Sequence, residues 1–479
     1  MSATPQVIRP AGVLEAFFHS RTSLGVDSCV AATARYEHIS GRPLDKATLY
    51  TALEEVIAKH PIMGTRLYST ATSRVPSWVR LESIDFNRIV EFRDDLDPSQ
   101  LESILEEIFL HPFDLDADLP LWRLMILPDG RLIYQNDHAM GDGLSGLSAL
   151  ITLLAALQKI PENPTHSGTM SLAGREIILL PPLEEALTIP VPLSMIFKEV
   201  NQSLNPFAAR KRNSIWTGNM VARAYKLGVN VRIIQLNPEE INYLVKMCRT
   251  HRTTLTGVLF VLVNSTLAYL LRRGPDPKGK FNSMVMFVPL SLRGQAKTPL
   301  NAICNHVSYY SDVHPFITPA LDRKTPYPAA DGFPWKEAAR FSETLQREAP
   351  EAPATIGVMR ALITSRENYF QGLLGKKREG TVEISNVGPI SSAWGVRRQP
   401  TPEEPWTMPD LLICQADGTA GAALKVNVTG TVPGGLGITL TWGKDAMDET
   451  FANQWAEAIR DGLKTLVSTT SSSSSRLQS

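Results

Sequence analysis

Several stretches of the chain repeat apolar residues at helical spacing. Over 44–59, Leu49, Leu53, Val56 and Ile57 fall on one side of a helix. Asn237-Pro238-Glu239-Glu240 writes a helix start: a side chain that caps free N–H groups, a ring with φ preset, and two carboxylates at the positive end of the dipole. A helix is therefore predicted over 238–249. The run 256–271, TGVLFVLVNSTLAYLL, is apolar nearly all round, so it reads as a buried core helix. It is shorter than the ~20 residues of a membrane span and carries Asn264 in its middle. Helices are also predicted over 144–158 and over 448–467, where Phe451, Trp455, Ile459, Leu463 and Leu466 share a face.

Shorter apolar runs predict strands. Segments 121–127 and 131–135 flank Pro128-Asp129-Gly130, a strong turn signal, and 284–290, 381–385, 424–430 and 436–442 read as further strands. Both halves mix strands with helices, so the expected fold is α/β in two lobes. Proline-rich stretches divide them. The first runs from Pro161 to about Asn213 and includes LPPLEEALTIPVPL and the basic cluster Arg210-Lys211-Arg212. The expected organisation is an N-terminal lobe 1–200, a linker 201–220, a C-terminal lobe 221–467 and a disordered Ser-rich tail 468–479. Segments 315–334 and 396–409 read as long surface loops.

Composition narrows the class. Lys+Arg and Asp+Glu are 48 each, and this zero balance argues against nucleic acid as a partner. Cysteines at 29, 248, 304 and 414 have no metal-ligand spacing, so no metal is expected, and their scarcity suits a reducing compartment. The N-terminus has no basic segment leading into a long apolar run, and Glu15 interrupts what apolar character it has. A cytoplasmic, monomeric protein is the expectation. A peripheral contact with endoplasmic-reticulum or lipid-droplet membranes, through Phe17/Phe18 or the C-terminal helix, is the alternative to those faces packing on the body.

The sharpest chemical feature is 131–147, RLIYQNDHAMGDGLSGL. A strand delivers His138 to its mouth, Gly141 and Gly143 open the following turn, and a helix supports it. Glycine there permits backbone angles closed to other residues, or a close approach by a partner. Histidine suits general-base chemistry because its ordinary pKa lies near working pH. Taken alone, the six residues are equally a polar turn around a satisfied histidine.

The pattern continues along the chain: LEAFFHSRTSLG (14–25), KHPIMGTRL (59–67), PFDLDADLPLWRL (112–124), His138-x-x-x-Asp142-Gly143, VPLSLRG (288–294), ISNVGPI (384–390) and ITLTWGKD (438–445). In this order they resemble the fungal alcohol acetyltransferase family. That family lies within the chloramphenicol-acetyltransferase-like superfamily of CoA-dependent acyltransferases, which includes plant acyltransferases and peptide-synthetase condensation domains. The second signature of the plant relatives, Asp-Phe-Gly-Trp-Gly, is absent; Trp442-Gly443 is the nearest segment. The resemblance implies two lobes, each a mixed β-sheet packed with helices, with an active-site tunnel between them. It implies acetyl-CoA or another acyl-CoA as co-substrate and an alcohol or amine as acceptor, such as a specialised-metabolite hydroxyl.

The resemblance also implies residue roles. His138 takes the acceptor proton, and the acceptor attacks the thioester with no covalent acyl-enzyme. Asp142 turns away from substrate to pair with an arginine after a core strand, for which Arg293 is the match. Ser385, Asn386 and Gly388, at the end of strand 381–385, would line the tunnel. Ser385, Ser145 and main-chain N–H groups near 142–144 are candidates for the oxyanion donor. The charge run Lys376-Lys377-Arg378 is a candidate for CoA phosphates, although such runs are usually solvated faces.

Other chemistries fit less well. A serine hydrolase lacks its nucleophile elbow, since 143–147 reads GLSGL. Cys304 and His306 would share a strand face, with nothing else to activate the thiol. A metal on His138 and Asp142 lacks further ligands. Condensation-type or N-acyl transfer on the same fold, and a non-catalytic binding protein, are the remaining readings.

Overall fold

The computed structural model describes residues 6–69, 75–197, 212–317, 324–390, 394, 396, 399–416, 419–431 and 434–468. Arg210 and Lys211, most of the expected linker, and the tail beyond Ser468 lie outside these residues.

The first half supplies strands β1 (Val30–Arg35), β2 (Val90–Phe92), β3 (Trp122–Ile126) and β4 (Arg131–Asn136). The second supplies β5 (Ile215–Trp216), β6 (Val229–Leu236), β7 (Ser283–Ser291), β8 (Val307–Pro315), β9 (Val382–Asn386), β10 (Leu411–Gln415), β11 (Leu424–Gly430) and β12 (Leu436–Gly443). The helices that build or brace the site are α1 (Val13–Ser23), α2 (Lys46–Lys59), α3 (Gly143–Leu157), α4 (Pro238–Thr250), α5 (Leu255–Arg273), α6 (Arg366–Gln371) and α7 (Glu449–Ser468).

The strands form two main sheets. One has the order β10-β1-β4-β3-β2; the other runs β5-β7-β9-β11-β12-β6, with β8 also paired to β7. Each sheet packs against helices over its own core. Leu49, Leu53, Val56 and Ile57 of α2 lie in the first core, and Phe451, Trp455, Ile459, Leu463 and Leu466 of α7 in the second. The C-terminal helix therefore spends its apolar face on the body. Local signals act as read: Asn237 accepts from the N–H groups of Glu239 and Glu240. Asn264 sits in the core helix α5 because its amide is satisfied there. It donates to Pro315 O at 3.1 Å and accepts from Ile317 N at 2.6 Å.

The lobes are not contiguous in sequence, which corrects the expected boundaries 1–200 and 221–467. Strand β10 leaves the second half and pairs antiparallel with β1, Leu411 opposite Ala34 and Gln415 opposite Val30. Just before it, Trp406–Thr407 pairs with Glu37–His38. The reason is burial on both faces. Leu411 and Ile413 enter the first core, while Leu412 and Cys414 enter a cluster shared with Val229 and Val231 of β6. A strand with two apolar faces is most stable between layers. The expected surface loop 396–409 is in part the approach to this crossing, with Trp406 only 2 % exposed.

Candidate active site

Strand β4 is central in its sheet and buried at every position, and it ends at Asn136. The chain turns through 137–142 and enters α3. Asp137 shapes the turn: its carboxylate accepts from Ala139 N at 2.7 Å and from the Thr22 hydroxyl at 2.6 Å. Burial pushes its pKa up to about 6. The carboxylate is thus spent on the turn rather than on the neighbouring imidazole.

His138 follows on the other side of the chain. Its ring lies parallel to that of Phe18, with centroids 3.6 Å apart and planes 7° apart. Nδ1 is buried and has no hydrogen-bond partner among the described residues. Burial is the main cause that lowers the ring's pKa; the Asp27 carboxylate opposes it, and Arg21 and Lys425 add to it. The backbone is pinned from the second lobe, where Asn305 Nδ2 donates to His138 O at 2.9 Å and to Ala139 O at 2.8 Å.

Asp142 is the N-cap of α3, accepting from Leu144 N and Ser145 N. The same carboxylate receives two parallel bonds from Arg293, at 2.7 and 2.8 Å, across the lobes. Asp142 is 3 % and Arg293 2 % exposed. Arg293 also donates to Ala302 O at 3.1 Å. Ser145 Oγ lies 3.0 Å from Asp142 Oδ1 and 3.1 Å from Cys304 O, and accepts from Cys304 N at 3.2 Å. Ser145 therefore belongs to this lock, which corrects its candidacy as an oxyanion donor.

The two glycines of the turn act differently from the expectation. Neither has a positive φ. Gly141 is required by contact: a β-carbon there would meet Ser145 Cβ at 2.5 Å and Oγ at 2.6 Å. At Gly143 a β-carbon would sit at ordinary distances, 3.7 Å from Val387 Cγ1 and 4.0 Å from Ser385 Oγ. Ser385 thus faces the start of α3 from β9, and its hydroxyl has no hydrogen-bond partner among the described residues. Asn386, the next residue on the strand, points the other way. It donates to Thr256 Oγ1 at 3.2 Å and accepts from Gly388 N at 2.9 Å, and Gly388 turns the chain at φ +83°. Both residues are half-buried, and a β-carbon at Gly388 would meet no atom within 4 Å.

The charge run is also redirected. Lys377 Nζ bonds the carbonyls of Arg212, at 2.6 Å, and Ile215; Arg378 is buried and donates to Thr419 O at 2.7 Å. Only Lys376 of the three is exposed. As a phosphate site the run is reduced to that one side chain. Phe17 and Phe18 likewise face inward: Phe17 packs on Phe370 of α6 at 5.0 Å and Phe18 on His138. Cys304 and His306 form no dyad, since His306 bonds Thr298 Oγ1 at 2.7 Å and Pro181 O at 3.1 Å. Burial raises the Cys304 thiol to about 12. Among the described residues no group of three His, Cys, Asp or Glu side chains could hold a metal ion.

Two features escaped the sequence. Phe18 and Asn305 hold His138 from α1 and from the 292–306 loop. Between the lobes, Gln415 of β10 donates to Glu383 at 2.9 Å and to Asn427 at 2.7 Å, and Lys425 lies 3.5 Å from Glu383. Alternation in β9 and β11 turns Glu383, Ser385, Lys425 and Asn427 to one face. Polar residues at every second strand position are the signal that could have revealed this polar face. The arrangement is a half-buried imidazole, stacked on Phe18 and held on a turn that is locked from the second lobe.

Comparison with known proteins supplies the frame. The profile of a family described as alcohol acetyltransferase matches residues 10–458. A Fusarium pseudograminearum protein named "Probable alcohol acetyltransferase FCK4" is 24% identical, over 96% of this chain and 94% of its own. The Aspergillus fumigatus "Probable alcohol acetyltransferase crmB" is 25% identical, over 86% and 89%. Among solved structures, the TRI3 trichothecene 15-O-acetyltransferase of Fusarium sporotrichioides superposes with a TM-score of 0.65 at 13% identity, over 97% of this chain and 99% of that one. That likeness identifies the two-lobed acyltransferase fold.

Proposed function

The chain belongs to the alcohol acetyltransferase family and is an acyltransferase; from that premise we propose that His138 is the general base of direct acyl transfer from acyl-CoA to an alcohol. The carrying observation is the His138 imidazole stacked on Phe18, its backbone gripped by Asn305 and its turn locked by Asp142–Arg293. Lowered pKa keeps the ring unprotonated, the form that can accept a proton.

The acceptor O–H gives its proton to Nε2 while its oxygen attacks the thioester carbon. As the tetrahedral intermediate collapses, the C–S bond breaks and the thiolate takes the proton from the imidazolium, leaving ester and free CoA. Ser385, whose hydroxyl is uncommitted beside Gly143, is the best-supported donor to the oxyanion. No acyl-enzyme is required. The four cysteines are buried, and burial raises their thiols to about 11 at Cys248 and about 12 at Cys29, Cys304 and Cys414. The structural neighbour is a trichothecene 15-O-acetyltransferase, which supports a specialised-metabolite hydroxyl as the acceptor class here.

The test is release of free CoA from acetyl-CoA with a panel of alcohols. Release should need an acceptor, and His138→Ala should lower it by about 10²–10⁴. Full turnover by the alanine variant would remove His138 from this role. No consumption with any acceptor would favour a binding protein on the same fold.

A further inference from the structure

His138 lacks the usual means of orienting a catalytic imidazole. Nδ1 is buried without a partner among the described residues, and the adjacent Asp137 is turned to Thr22 and Ala139. Asn305 holds only the backbone. A residue with two free side-chain torsions would then swing, and a small misplacement of a reacting group can cost ~10²-fold in rate. The contact that defines the plane of the ring is the parallel stack on Phe18.

Phe18 is itself firmly held. The first turn of α1 is anchored by buried Glu15, which accepts from Gly12 N at 2.6 Å, from Arg9 at 2.8 Å and from Trp78 Nε1 at 3.0 Å. Two residues on, Phe17 packs against Phe370 and Tyr369 of the second lobe. The Arg21 guanidinium lies 5.6 Å from the centre of the Phe18 ring and is paired with Asp27 at 2.8 Å. Phe17 meets the Phe18 ring edge-on, with centroids 5.7 Å apart.

We infer that Phe18 is a positioning residue: its face fixes the plane of the His138 imidazole and directs Nε2 to the interlobe space. This rests on His138 being the base. The stack also covers one face of the imidazole from water. The charged groups acting on that imidazole are Asp27 and Arg21 from the first lobe and Lys425 from the second. With these unchanged, removing the cover should bring the ring back toward its ordinary pKa.

The experiment compares Phe18→Leu, which keeps apolar bulk but loses the flat face, with Phe18→Tyr, which keeps it. Phe18→Leu should lower kcat about ten- to a hundredfold with KM for acetyl-CoA within about twofold, and should move the acid limb of kcat/KM upward toward 6.5. Phe18→Tyr should stay within about threefold of the parent in both. A Phe18→Leu enzyme with parental kcat and limb overturns the inference, as does a Phe18→Tyr enzyme as impaired as the leucine variant. If Phe18→Leu proves unstable, the His138 signal in ¹³C-histidine spectra should shift between the parent and Phe18→Met and stay in place in Phe18→Tyr. A His138 signal unshifted between the parent and a Phe18→Met variant would equally overturn it. His138→Ala is the control: its retention of activity removes the base itself, whereas its loss beside an unaffected Phe18→Leu removes only the stack.

Discussion

The Asp142–Arg293 pair should be the most expensive single contact of the site to break. Its two side chains are 4 % and 3 % exposed, with nitrogen–oxygen distances of 2.7 and 2.8 Å. Arg293→Met keeps the apolar stem and removes the cation, leaving a buried carboxylate uncompensated at a cost of about 3–5 kcal/mol. The capping bonds from Leu144 N and Ser145 N remain in that variant, so its cost is electrostatic. Asp142→Asn keeps a capping oxygen and strands the arginine instead. The double variant buries no net charge, and should cost less than the sum by roughly 1–3 kcal/mol. For a lobe of about 200 residues each single change corresponds to a fall in Tm of roughly 6–20 °C. Guanidinium unfolding, followed by two probes to test for a single transition, gives the cycle directly. Additive effects of the two substitutions would refute the coupling, and with it the view that this pair holds the His138 turn across the lobes.

Other consequences can be measured on the same footing. Because burial lowers the pKa of His138, its base form persists below pH 6.5, so the acid limb of kcat/KM should have its midpoint below that value; a midpoint at or above 6.5 contradicts it. The same shift contributes stability that is present above pH 6.5 and lost as pH falls through the folded pKa. Asp137 acts in the opposite sense: raised to about 6 from 3.8, it contributes stability below pH 3.8 that is lost as pH rises to about 6. Gly141→Ala should destabilise by about 1–3 kcal/mol, because the new carbon meets a serine pinned by the lock. Gly143→Ala should change stability by less than about 1 kcal/mol, and parallel denaturation curves compare the two.

Much of the fold was legible because helix and strand signals are local. The cap at Asn237, the stripe from Leu49 to Ile57 and the turn at Pro128-Asp129-Gly130 each act within a few residues. The chemistry-bearing turn was legible for the same reason: strand, His138, glycines and helix are consecutive. Lys377 and Arg378 misled, since a charge run looks the same in sequence whether it meets solvent or main-chain carbonyls. Strand alternation places Asn386 on the face opposite Ser385, which the tunnel reading of both had not separated.

By itself, then, the sequence determined the elements, the motif and the family. Only the tertiary structure decided which distant groups meet. Asn305 reaches His138 across 167 residues and Arg293 reaches Asp142 across 151. Phe18 reaches the imidazole from the N-terminal helix, and β10 returns from the second half to complete the first sheet. The physical reason is range. Capping and periodicity are short-range terms, written where they act. The choice of partner for a buried charge, an exposed ring face or a strand apolar on both sides is made by desolvation over the whole molecule, where each such group is stable only against its complement.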